Sequence, residues 1–170
     1  AYSYFNLISL YSFGNYLTKE YTKQAHALFD IYHPIEIDPA VPLDKKSAKM
    51  QEWWKRHKEL LIASGLDKKT LEACVREMIQ THIPEFREGV PDFFNGLYQA
   101  HVPLIILSAG LEDLIGEYLR QKKAAYDNIQ VVANSFIFDE IGKARGIKEL
   151  YTYSIKVKQS YIHSLFIPTY

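Results

Sequence analysis

The chain has 170 residues, of which 48% are hydrophobic and 24% charged, a globular composition that excludes a wholly disordered chain. Its 20 basic and 20 acidic residues cancel, and this zero net charge argues against binding to nucleic acid or an acidic membrane. No apolar run approaches the roughly 20 residues that span a bilayer. The single cysteine, Cys74, excludes an internal disulfide and suits a reducing compartment, so we expect a cytoplasmic protein.

The two ends of the chain differ in texture from the rest. Residues 1–13 are rich in apolar and aromatic residues and carry no charge, and the first basic residue is Lys19. Because a secretory signal begins with basic residues, we do not expect one here. Residues 160–170 are rich in aromatic and apolar residues but follow no helical or strand period, and we expect residues 151–170 to be a divergent tail.

Three helices are predicted in the first half of the chain. Apolar residues recur at helical spacing over residues 16–32, with Thr18 as the N-cap and Pro34 as the stop, and residues 35–39 are predicted to be extended. The second helix covers residues 43–64, and the third begins after the N-cap Asp67 and runs through residue 79. Together they would form an all-helical subdomain.

After Gly89 the pattern changes to that of an α/β unit. A helix is predicted at 91–100, and the strand at 103–107 is apolar on both faces, as in a parallel sheet. A helix at 112–121 and a strand at 129–133 complete a βαβ crossover, and residues 136–140 with a turn at Gly142 are predicted to form a β-hairpin.

The junction at Ser108-Ala109-Gly110 is the strongest chemical feature. Ligands bind beyond the carboxyl ends of parallel strands, and a helix start attracts phosphate through its unpaired N–H groups. Ser108 would add a hydroxyl donor, and Gly110 would allow close approach of the backbone. The alternative is that Ser108 is only the N-cap of the following helix.

Several segments resemble the cytosolic 5'-nucleotidase III family, the pyrimidine 5'-nucleotidases of the haloacid dehalogenase superfamily. They occur in the family's order and spacing over roughly residues 11–150. The segments are YHPIEIDP at 32–39, MQEWW at 50–54, FREG at 86–89, LSAG at 107–110, VVAN at 131–134 and FDE at 138–140.

The resemblance implies a magnesium-dependent hydrolase that removes the 5'-phosphate from nucleoside monophosphates. It implies a Rossmann-like core, here partial, under an N-terminal helical cap: residues 1–15 would be a remnant of the core, 16–88 the cap, and 89–150 the core segment. The intact protein is expected to be a monomer.

The resemblance also assigns residues. It implies that Glu36 holds the nucleoside and Trp54 stacks on the base, while His57 stands in the nucleoside site where the family usually has serine or alanine. Ser108 and Ala109, with Gly110, match the phosphate-binding motif, and Lys156 lies about where the family's phosphate-binding lysine belongs. A tryptophan at position 54 resembles the branch that accepts 7-methylguanosine monophosphate, whose cationic base gains from cation–π attraction to indole.

The superfamily uses an Asp-x-Asp pair as nucleophile and acid–base, but no two of the eight aspartates here are two residues apart. The Gly-Asp motif that completes the family's magnesium site is not found either, so we assign no metal ligand. We therefore expect this chain, as printed, to lack turnover of its own and to be a piece of a larger protein. Two alternatives stay open: a non-catalytic nucleotide binder that keeps Ser108, and a helical interaction module in which Trp53 and Trp54 are core.

Overall fold

The computed structural model describes residues 16–82 and 84–148. They form the helices α1 (Lys19–Ile37), α2 (Leu43–Ala63), α3 (Lys68–Gln80), α4 (Val90–Gln99) and α5 (Glu112–Gln121). The strands β1 (Leu104–Leu111), β2 (Ile129–Phe138) and β3 (Ala144–Lys148) make one sheet in the order β1-β2-β3. This combination of one sheet and flanking helices confirms the predicted α/β class. The expected core remnant at 1–15 and the tail at 151–170 lie outside the described residues.

Helix α1 differs from its prediction at the C-terminal end. The Thr18 side chain accepts a hydrogen bond from the Tyr21 amide at 3.1 Å, which confirms the predicted N-cap. The helix then continues through Pro34 to Ile37, so Pro34 is not its stop and the prediction of an extended segment over 35–39 is wrong for residues 35–37. Packing outweighs the tendency of proline to end a helix. Tyr32 is buried and its ring stacks on that of Trp53 in α2, with the ring centres 5.7 Å apart.

The other predicted helices are confirmed with small changes at their ends. Helix α2 matches the predicted 43–64 to within one residue. Helix α3 begins where Asp67 accepts the Thr70 amide at 2.7 Å, and α4 begins after Gly89, which adopts a left-handed φ of 80° that favours glycine. No helix in the described ranges is long and apolar enough to cross a membrane.

The predicted βαβ unit is present. Strand β1 runs parallel to β2, with Leu104 opposite Ile129 and Leu107 opposite Val132, and α5 makes the crossover. Both strands are longer than predicted: β1 extends to Leu111 rather than 107, and β2 extends to Phe138 rather than 133.

The predicted hairpin is also confirmed. The second half of β2 pairs antiparallel with β3, where Ile137 lies opposite Gly146. Gly142 closes the turn with a φ of 83°, a conformation that L side chains rarely adopt. Two backbone bonds join this turn to the start of α3: the Lys68 amide donates to Gly142 at 3.0 Å and the Ala144 amide to Leu66 at 2.8 Å.

One hydrophobic cluster, here called the main cluster, joins the helices to the sheet. Its buried members come from α1, α2, the α2–α3 loop, α3, the end of β1, α5 and the hairpin: Tyr21, Ala25, Leu61, Leu66, Leu71, Cys74, Val75, Leu111, Leu114, Phe136 and Ala144. Burial raises the pKa of the Cys74 thiol to about 12, so this cysteine is a protonated core residue. The division into a cap at 16–88 and a core at 89–150 stays a prediction, and this cluster contains residues from both parts.

Candidate functional site

The end of β1 contains a local mismatch with its parallel partner. Between the pairs Leu107–Val132 and Leu111–Asn134, β1 advances four residues while β2 advances only two. The two extra residues of β1 must depart from regular pairing, and they fall in the segment 108–110. Bulges of this kind redirect side chains near ligand sites. The Ser108 segment is therefore a bulge near the carboxyl end of a parallel strand.

Ser108 is not the N-cap of helix α5. The N-cap position is Leu111, which is fully buried in the main cluster and keeps β1 extended for three residues beyond Ser108. The hydroxyl oxygen of Ser108 instead accepts a hydrogen bond from the Gly110 amide at 3.0 Å. A serine hydroxyl that accepts one bond still has a proton to donate, so Ser108 can donate to a phosphate oxygen.

The Asp113 side chain connects the start of helix α5 to strand β2. Its carboxylate accepts a hydrogen bond from the Phe136 amide at 2.7 Å, at the point where β2 leaves β1 and begins to pair with β3. The pKa of the Asp113 carboxyl is raised, because burial raises it more than the hydrogen bond from the Phe136 amide lowers it. This carboxylate therefore ties the start of α5 to the middle of the sheet.

The residues with implied nucleoside roles lie on the antiparallel pair of α1 and α2. Glu36 is half-buried in the last turn of α1, not on an extended loop. Trp53 is buried against Tyr32 and Phe29, whereas Trp54 is half-buried and packs against the main cluster. The two tryptophans therefore differ: Trp53 is a core residue and Trp54 keeps part of its surface accessible.

His57 is enclosed between the same two helices. Only 1% of its surface is exposed, and its Nε2 atom lies 3.0 Å from the hydroxyl oxygen of Tyr21. Its other ring nitrogen, Nδ1, is buried without a hydrogen-bond partner among the described residues. Burial lowers the pKa of His57 to about 4, so the imidazole is neutral at pH 7.

No metal site is formed by the described residues. Within 16–82 and 84–148, no three His, Cys, Asp or Glu side chains form a group that could hold a metal ion. The magnesium ion that the resemblance implies finds no ligand set in this part of the chain, so we assign no chemical step to it.

The site residues stand as follows. Ser108, Ala109 and Gly110 share the β1 bulge; Glu36, Trp54 and His57 share the helix pair; and Lys156 lies outside the described residues. Their roles in binding stay predictions. Asn134 is a fully buried polar residue opposite Leu111, and no role was predicted for it, although an asparagine at the end of an apolar run is a visible signal.

An α/β unit with a serine bulge at a parallel strand end is typical of ligand-binding α/β proteins, and comparison with known proteins specifies the family. The family described as Pyrimidine 5'-nucleotidase (UMPH-1) matches residues 3–163. The chain belongs to this family, which confirms the resemblance noted from the sequence.

Individual relatives agree with the family match. The chain is 38% identical over 135 residues to 7-methylguanosine phosphate-specific 5'-nucleotidase A of Xenopus laevis, covering 79% of this chain and 45% of the relative. It is 38% identical over 132 residues to the 7-methylguanosine phosphate-specific 5'-nucleotidase of Homo sapiens, covering 78% of this chain and 43% of that relative. The chain thus spans less than half the length of these relatives.

A solved structure shows the same fold. The crystal structure of cytosolic 5'-nucleotidase IIIB bound to cytidine matches with a TM-score of 0.66 and 28% identity, covering 82% of this chain and 44% of that one. This match confirms the α/β class predicted from the sequence.

The buried state of His57 predicts a pH dependence of stability. In the unfolded chain this histidine takes up a proton as the pH falls through its ordinary pKa of 6.5. In the folded chain it does so only near pH 4, because its pKa is lowered to about 4. Between these values folding therefore becomes less favourable as pH falls, by about 3 kcal/mol in total, and the loss then levels off. Urea unfolding at a series of pH values measures this loss.

The variant His57→Gln is the control, because glutamine does not titrate and its amide can still bond the Tyr21 hydroxyl. We expect its stability to change much less between these pH values. An equally steep loss in wild type and variant would contradict the assignment.

Proposed function

We propose that this chain acts in the removal of the 5'-phosphate from nucleoside 5'-monophosphates, and that it supplies residues that bind the nucleoside and the phosphate. One observation carries the proposal: Ser108 lies in a bulge near the carboxyl end of a strand in a parallel pair. In open α/β sheets ligands bind beyond this end of the strands. The names of the relatives, all 5'-nucleotidases, support the same reaction class.

In this proposal the phosphate lies at the β1 bulge. The Ser108 hydroxyl and the backbone amides of residues 108 and 109 are the donors, Gly110 would let the backbone come close, and Lys156 would add a positive charge. Hydrogen bonds to a charged phosphate are shorter and stronger than those between neutral groups. The Asp113 carboxylate, bound to the Phe136 amide, holds the start of α5 against β2 beside the bulge.

The nucleoside lies against the helix pair. Glu36 accepts hydrogen bonds from N–H groups of the base, and the accessible part of the Trp54 indole stacks on the base. Tryptophan favours a positively charged base, because the face of the indole ring is electron-rich. We therefore propose that 7-methylguanosine monophosphate is preferred over a nucleotide with a neutral base, as the names of the relatives in Xenopus laevis and Homo sapiens suggest for those proteins.

The phosphate role of Ser108 is tested by comparing a nucleotide with its nucleoside. We expect Ser108→Ala to weaken the binding of cytidine 5'-monophosphate to the 170-residue chain by roughly tenfold to a hundredfold, because one hydrogen bond to a charged group is lost. Cytidine, which has no phosphate, should bind the variant as it binds wild type. Isothermal titration calorimetry measures both affinities.

Ser108→Thr is the matched control, since it keeps the hydroxyl and suits a strand. It should retain most of the nucleotide affinity. Equal losses for nucleotide and nucleoside would contradict the phosphate role. Added magnesium with an assay for released phosphate then shows whether this chain only binds or also hydrolyses.

The preference for a cationic base is tested at Trp54. We expect Trp54→Ala to weaken the binding of 7-methylguanosine monophosphate more than the binding of guanosine monophosphate. The extra loss should be a factor of about two to thirty, which is the usual range for a cation–π contact. The same calorimetric titration with both ligands measures this factor, and equal losses for the two would refute the preference. Trp54→Phe, which keeps an aromatic ring, should lie between wild type and Trp54→Ala.

A further inference from the structure

Lys58 lies beside the accessible tryptophan of the helix pair. It follows Trp54 by four residues on α2, and residues with this spacing meet on one face of a helix. Its Nζ atom lies over the indole ring, 5.8 Å from the ring centre, within the range of a cation–π contact. The Trp54 ring therefore already has a cation of this chain over it.

This lysine is enclosed rather than extended into solvent. Only 7% of its surface is exposed, although a lysine at a helix surface usually keeps its ammonium group in water. Burial lowers the pKa of Lys58, with a smaller opposing effect from the Glu59 carboxylate. Weak solvent screening makes any interaction of this ammonium with a nearby charge stronger than it would be at the surface.

A positively charged base and the Lys58 ammonium would both be attracted to the electron-rich ring of Trp54. A cationic base stacked on Trp54 gains from the electron-rich ring, but two positive charges close to one ring repel each other. A neutral base feels little of this repulsion. The cost of stacking a cationic base therefore includes either repulsion from Lys58 or displacement of Lys58 from the ring.

We propose that Lys58 is a specificity-determining residue that limits how strongly the Trp54 ring favours a positively charged base over a neutral one. The proposal rests on the proposed function, because it needs the base to stack on Trp54. It goes further by assigning a role in substrate choice to a residue outside the motifs of the sequence.

Two nucleotides that differ in the charge of the base test the proposal. Binding of 7-methylguanosine monophosphate and guanosine monophosphate to the 170-residue chain is measured by calorimetry, in mildly acidic buffer where the methylated base is cationic. We expect Lys58→Met, which keeps the length of the side chain and removes the charge, to raise the ratio of the two affinities about two- to tenfold in favour of the methylated nucleotide.

Two variants serve as controls. Lys55→Met removes the same charge from an exposed position on α2 and should leave the ratio unchanged. Lys58→Arg keeps a cation at the ring and should also keep the wild-type ratio. If circular dichroism shows that Lys58→Met does not fold, Lys58→Gln is titrated instead and should show the same increase.

The outcomes separate this inference from the proposed function. If wild type binds both nucleotides and the ratio is the same in the neutral variant of Lys58 and in Lys55→Met, the role of Lys58 is overturned while the proposed function stands. If wild type binds neither nucleotide, the proposed function fails, and this inference fails with it. A ratio that rises only when the charge at position 58 is removed supports the inference.

Discussion

The mismatch between β1 and β2 is the constraint on which the candidate site depends. Two pairs, Leu107 with Val132 and Leu111 with Asn134, bracket the extra residues of β1. Removing the two extra residues of the bulge would move Leu111 two positions along β2 and take it out of its place in the main cluster. Because Leu111 is fully buried, and burial of a leucine contributes about 2 kcal/mol, the strand keeps its register and the bulge persists at Ser108.

The same buried leucine links the bulge to the helices. Leu111 belongs to the main cluster with Tyr21 of α1 and Leu61 of α2, and Trp54 packs against that cluster. Backbone bonds between the α2–α3 loop and the hairpin turn add a second connection. Trp54 and the β1 bulge are therefore held by one continuous core. Loss of packing in that core is expected to disturb both groups together.

Much of the fold follows from the sequence because local signals and packing agree there. The caps at Thr18 and Asp67, the βαβ unit and the Gly142 hairpin are all marked by short-range patterns, and the structure contains them. Pro34 is an exception: the buried contact of Tyr32 with Trp53 is between different helices, and no local pattern shows that it extends α1 through the proline.

The candidate site was predictable in its motif but not in its geometry. The LSAG segment and its position after an apolar strand identify Ser108 as a candidate. The bulge depends on the register between strands more than 20 residues apart in sequence, and residue order alone does not give this register. The burial of Lys58 was not apparent for a similar reason, because the apolar stripe of its helix shows only the periodicity of that helix.

The most direct test of the account is a nuclear magnetic resonance titration of the 170-residue chain labelled with nitrogen-15, using cytidine and then cytidine 5'-monophosphate. The account predicts that cytidine shifts the signals of the α1–α2 pair, including the Trp54 indole, and that the amides at 108–110 shift strongly only when the phosphate is present. Phosphate-dependent shifts confined to a region away from 108–110 would contradict it.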